Sequence, residues 1–101
     1  TNKNMKLETQ KLNVIRKFES SAYQRISVKQ ALSLFYLDED DITTSSLAKR
    51  VGVTSAAATG MVDRMVDRGL VVRTRNRSDR RVITVQITDR GRGVVSRIIN
   101  S

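Results

Sequence analysis

Arg73, Arg75, Arg77, Arg80 and Arg81 place five guanidinium groups within nine residues, with Asp79 the single acid among them. Cations this dense repel one another unless a polyanion compensates them. Each is also a planar fork of donors that fits phosphate or a base edge. Arg73, Arg75 and Arg77 share parity in an alternating segment, which predicts that they project from one side. Asp79 stands two residues before Arg81, where its carboxylate can hold that guanidinium in one orientation by a charge-assisted fork. An aimed arginine is what a narrow minor groove attracts.

A second set lies just upstream. Ser55, Ala56, Ala57, Thr59 and Gly60 give one side of a predicted helix an unusually small face. Such a face permits close approach to a duplex, and alanine methyls can touch thymine methyls. Ser55 and Thr59 are its only hydrogen-bonding side chains, so direct base readout is expected to be thin. Thr54, which precedes the helix, Arg64 further along it, and Thr44 and Ser45 on the preceding helix complete the candidate contact set. Lys49 and Arg50 add charge nearby. The simpler readings are a well-formed helix facing nothing and a solvated basic turn.

Charge is distributed as a polyanion-binding surface would need. Residues 42–101 hold 12 of the 19 Lys+Arg and 4 of the 10 Asp+Glu, so +8 of the net +9 lies there. A strongly basic chain favours nucleic acid as a partner, with acidic membrane surfaces second. Only four aromatic residues occur, Phe18, Tyr23, Phe35 and Tyr36, and none lies in the basic region. Single-strand and RNA binders stack bases on aromatics, so duplex DNA is the favoured partner. With several phosphates neutralised, affinity should fall steeply with salt.

Other chemistries are excluded or weakened. There are no cysteines and no histidines among the 101 residues. That removes disulfides, a thiolate nucleophile, thiol redox switching, and the commonest metal ligand and general base. Asp38, Glu39, Asp40 and Asp41 are four adjacent acids without the glycine turn of a calcium loop, and read as a solvated connection. No apolar run spans a bilayer and no signal-peptide pattern opens the chain, which predicts a cytoplasmic protein. No catalysis, cofactor, metal or membrane partner is expected.

The elements that must position these groups follow from periodicity. Met5 to Ala22 carries apolar residues at helical spacing and reads as a packing or dimer element. Ser27 is a plausible N-cap for a helix whose apolar residues lie on nearly all sides, the most buried of the set. Thr43 caps a short helix through Val51 that buries Leu47, Ala48 and Val51. Gly52 makes a tight turn, Thr54 caps the next helix, and that helix runs from about Ser55 to Arg68 and stops at Gly69. Ala58, Met61, Val62 and Met65 form its inner face. After Gly69 the period changes to two, with Leu70, Val72 and Thr74 alternating with Val71, Arg73 and Arg75. A return strand, Ile83 to Ile87, makes this a hairpin around NRSDRR. Thr88 caps a last helix carrying Val94, Val95, Ile98 and Ile99. The fold class is mostly α (α+β), a single domain spanning 1–101. It comprises an N-terminal dimerisation or packing helix (1–24), a winged helix-turn-helix (26–88) and a C-terminal helix (89–101). The winged unit is a three-helix core with a two- or three-stranded antiparallel β-hairpin wing.

Two helices around a three- or four-residue turn with glycine describe a helix-turn-helix, whose second helix enters the major groove by its N-terminal end. On these residues the chain resembles the MarR family of winged-helix transcription regulators. Ile26-Ser27 with Gln30 and Leu34, then DITTSSLAKRVGVT, look like the family's first helices and turn. ATGMVDRMVDRGLV resembles its recognition helix and exit. SDRRVITVQITDRGR is similar to its wing, with Asp79, Arg81, Thr88 and Gly91 at the motif positions. The likeness covers residues 26–95, with the connection before Ile42 about one residue short.

The resemblance implies a homodimer on pseudo-palindromic operators, with recognition helices in successive major grooves and wing arginines in flanking minor grooves. It also implies repression relieved by small aromatic or phenolic effectors. Family members often have a basic side chain where Ser55 or Gly60 stands here. They also carry a longer C-terminal helix than residues 89–101 provide. A rival from another class is a protein-interaction adaptor docking an acidic partner. A further rival is a metal-dependent nuclease using Asp38 to Asp41.

Overall fold

Each helix begins where a hydroxyl side chain satisfies an orphan backbone N–H. The computed structural model describes residues 26–100, so the helix expected over Met5–Ala22 lies outside the described residues. Helix α1, Val28–Glu39, opens with a capping box. Ser27 Oγ accepts from the Gln30 N–H at 3.1 Å, and Gln30 Oε1 accepts from the Ser27 N–H at 3.0 Å. Strand β1, Ile42–Thr43, leads into α2, Thr44–Val51, capped by Thr43. Gly52 closes α2 in the left-handed region at φ 78°, a conformation that costs glycine nothing. Helix α3, Ser55–Asp67, is capped by Thr54, whose hydroxyl accepts from the Ala57 N–H at 3.1 Å. Strands β2, Val71–Arg75, and β3, Ile83–Ile87, precede helix α4, Asp89–Asn100.

The strands form an antiparallel sheet in the order β1-β3-β2. Ile42 pairs with Val85, and β2 pairs along its length with β3 from Val71–Ile87 to Arg75–Ile83. Of the two wing sizes left open above, the three-stranded one is observed, because buried Ile42 anchors a short third strand against the core. Leu34, Leu47, Val62, Met65 and Val85 are fully buried where α1, α2, α3 and the sheet converge. The expected inner face of α3, Ala58, Met61, Val62 and Met65, is buried throughout.

One expectation about faces needs correction, and one face left open is now assigned. Helix α1 does not bury its apolar residues all round, since Val28 is 46% and Leu32 39% exposed. Gln30 and Ser33 are buried instead. Gln30 is satisfied by the capping box, and Ser33 Oγ donates to the Lys29 carbonyl at 2.8 Å. Satisfied polar groups lose little on burial, so packing partners rather than hydrophobicity choose the face. In β2, Leu70 and Val71 are both buried while Val72 is exposed. Leu70 sits in the bend before the strand, so the strand's inward parity is that of Val71, Arg73 and Arg75.

The last helix is held by a motif with a visible purpose. Thr88 Oγ1 donates to the Gly69 carbonyl at 2.7 Å and accepts from the Gly91 N–H at 3.1 Å. A Cβ on Gly91 would lie 2.3 Å from the Leu70 carbonyl oxygen and 2.6 Å from Ile87 Cγ1. Thr-x-x-Gly therefore locks α4 against the start of the wing.

Candidate nucleic-acid interface

The N-terminal ends of α2 and α3 meet on one side of the molecule, where Thr44, Ser45, Ser55 and Thr59 line a common concavity. Ser45, Ser55, Ala56, Ala57 and Thr59 are all exposed there, and Thr44 and Gly60 are half-buried. Some of these groups already have partners. The Thr54 hydroxyl serves as the α3 cap, and Thr59 Oγ1 donates back to the Ser55 carbonyl at 3.0 Å. Thr59 is thus left as an acceptor toward anything outside. Thr44 Oγ1 is buried without a hydrogen-bond partner among the described residues.

Arg64, expected in the contact set, adds a cation to this face four residues after Gly60. Its Nη1 lies 3.6 Å from the position a Cβ on Gly60 would take. The long side chain folds back one turn over the glycine, as helical side chains lean toward the N-terminus. A cation therefore lies over Gly60 from four positions downstream.

The hairpin is braced from within. Asn76 Oδ1 accepts from the backbone N–H groups of Ser78 at 2.8 Å and Asp79 at 3.2 Å. Arg75 Nη1 donates to the Arg80 carbonyl at 2.8 Å, tying strand to loop. The expected fork is present. Arg81 Nε lies 3.0 Å from Asp79 Oδ1 and Nη2 lies 3.3 Å from Oδ2, while the Arg81 backbone N–H adds a third bond at 3.0 Å. The Arg81 guanidinium, and after it that backbone N–H, hold the Asp79 carboxyl below its ordinary range. Arg81 nevertheless keeps 91% of its side chain exposed, so it is aimed without being hidden.

Arg73 and Arg75 share one side of β2, as parity predicted, but their guanidiniums do not project outward together with that of Arg77. Arg73 turns inward onto α3, where its guanidinium pairs with the Asp63 carboxylate. Arg75 is occupied by the Arg80 carbonyl, and Arg77 lies beyond the end of β2, where strand alternation no longer applies. Arg77, Arg80 and Arg81 are exposed at the tip. The brace by Asn76 was missed, although an Asn two residues before Ser-Asp is a sequence signal for an Asx turn. The partnership of Asp63 was also missed, because nothing in the sequence relates residues 63 and 73.

Helix and wing share one surface. A concavity of about 330 Å³ is lined by Thr44 and Ser45 of α2, Ser55 and Thr59 of α3, and Arg73 and Arg81 of the wing. The acidic run does not join it. Asp38 Oδ1 lies 3.7 Å from Arg92 Nε, and Asp41 Oδ2 accepts from Gln86 Nε2 at 2.9 Å. Among the described residues no group of three or more acids is placed to hold a metal ion.

A helix pair about a glycine turn, backed by a three-stranded sheet that ends in a projecting hairpin, is a winged helix-turn-helix. The MarR family model matches residues 26–83, and the chain belongs to that family. Over 76 residues, 75% of this chain and 46% of the relative, it is 37% identical to the HTH-type transcriptional regulator YdgJ of Bacillus subtilis. It is 36% identical over 74 residues to the HTH-type transcriptional repressor MdtR of the same organism, covering 72% of this chain and 48% of that one. The crystal structure of the transcriptional regulator BldR from Sulfolobus solfataricus matches with a TM-score of 0.72 at 30% identity, over 97% of this chain and 68% of that one. The chain spans about half the length of the curated relatives it matches.

Proposed function

We propose that this chain binds double-stranded DNA in a sequence-dependent way and acts as a transcriptional repressor without catalysis. The N-terminal end of α3 lies in the major groove, with Ser55, Ala56, Ala57, Thr59 and Gly60 against the base edges. Arg64, Thr44, Ser45 and Thr54 approach the flanking backbone. Arg75, Arg77 and Arg80 follow the phosphates, and Arg81 enters the minor groove. The observation that carries this reading is the shared concavity, which joins the small-faced helix to the aimed arginine of the wing. That MdtR is a repressor supports the sign of regulation. Residues 26–88 are the DNA-binding unit, and residues 1–24 with 89–101 are read as the dimerising part of a cytoplasmic homodimer.

Selecting bound fragments from a random duplex pool tests this directly. The expected result is a pseudo-palindrome whose half-sites lie about one helical turn apart. Equal retention of heparin and of every duplex would favour an adaptor for acidic partners and overturn the reading.

A further inference from the structure

The pairing of Asp63 with Arg73 stands out on this surface. Asp63 is an exposed acid on the outer side of α3, one turn beyond Thr59. A bare carboxylate there would repel an approaching phosphate backbone. Arg73 Nη2 donates to the Asp63 carboxylate and reaches the Thr59 carbonyl oxygen at 3.5 Å. With one guanidinium nitrogen Arg73 therefore holds both a side chain and a main-chain carbonyl of α3. Its backbone lies opposite fully buried Val85 in the sheet register, and every β2 residue after Val71 is exposed. Arg73 sits where the hairpin leaves the core, so a small rotation at this point becomes a large displacement of Arg81 relative to Ser55.

We propose that Arg73 and Asp63 form a latch that sets the angle of the hairpin on α3, with Arg73 a positioning residue and not a phosphate ligand. This deepens the duplex-binding reading and rests on it. The pair does two things at once. It cancels an acid that would oppose phosphate, and it spends one wing cation on geometry.

The test is the salt dependence of affinity for the duplex recovered by selection, measured for the full chain and for Asp63→Asn, Arg73→Gln and the double variant. Asp63→Asn is expected to weaken binding about tenfold although it removes a negative charge, and Asp63→Glu to restore most of the loss. Arg73→Gln should lose a similar factor with the slope of log K against log[salt] unchanged. The double variant should lose no more than either single one. Tighter binding by Asp63→Asn, or a slope shallower by about 0.9 in Arg73→Gln, would make Arg73 a phosphate ligand and overturn the latch. If the wild-type chain retains no duplex, the DNA reading fails by itself. The latch is then decided by amide hydrogen exchange across β2 and β3 in the free protein, where rates unchanged by Asp63→Asn overturn it.

Discussion

At the residue scale the informative groups are charges whose orientation is fixed while they stay in water. Surface ion pairs contribute little to folding because solvent screens them and ordering long side chains costs entropy. The value of Asp79 therefore lies in where it holds Arg81. Arg81→Ala is expected to weaken duplex binding by about 1–3 kcal/mol, measured by titration at moderate salt. Asp79→Ala should also weaken it, even though net positive charge rises. A tighter complex would reduce Asp79 to a repulsive charge. The fork has a pH signature too. A carboxyl whose folded value is lowered contributes stability that is fully present above its ordinary value of 3.8 and is lost as pH falls through the folded value. Acidification from neutrality to about pH 5 should therefore leave the fork intact. The Arg81 Nε–H resonance reports this, and a shift above that pH would contradict the geometry.

At the element scale the joints matter more than the helices. Gly91 admits α4 against the Leu70 carbonyl, a backbone atom that cannot rotate away. Gly91→Ala should destabilise the fold by about 1–3 kcal/mol in denaturant unfolding. Gly93, two residues on, faces open space. Gly93→Ala should stabilise by up to about 1 kcal/mol through helix propensity. Equal effects at the two sites would contradict the close approach. Much of this level was legible beforehand. Caps at Ser27, Thr43 and Thr54, the turn at Gly52 and the inner face of α3 follow from local rules that act within one turn of chain. Helix α1 shows where such rules stop. Its exposed Val28 and buried Ser33 depend on which neighbours cover which side, and that is a property of the packed whole.

At the scale of the whole molecule, charge becomes a measurable slope. Arg73 and Arg81 are paired internally, and the Arg50 guanidinium lies 5.8 Å from the centre of the Tyr36 ring. Of the cations on the helix-turn-helix and the wing tip, Lys49, Arg64, Arg75, Arg77 and Arg80 are then the ones taken to neutralise phosphates. If all five do so, log K should fall with log[salt] at about −4.5 per subunit. Fluorescence anisotropy titrations between low and physiological salt give this directly. A slope of about −1.8 or shallower, which Lys49 and Arg64 would supply by themselves, would remove the wing from backbone binding.

The order of elements, the caps, the +8 concentrated after residue 41, and the Asp79–Arg81 fork are determined by the chain alone, since each involves residues close in sequence or simple counting. The third strand, the inward parity of β2 and the capture of Arg73 by Asp63 were decided only by the tertiary structure. These depend on which segments meet after the core closes. The latch joins residues ten positions apart on two different elements, and no local periodicity encodes that distance.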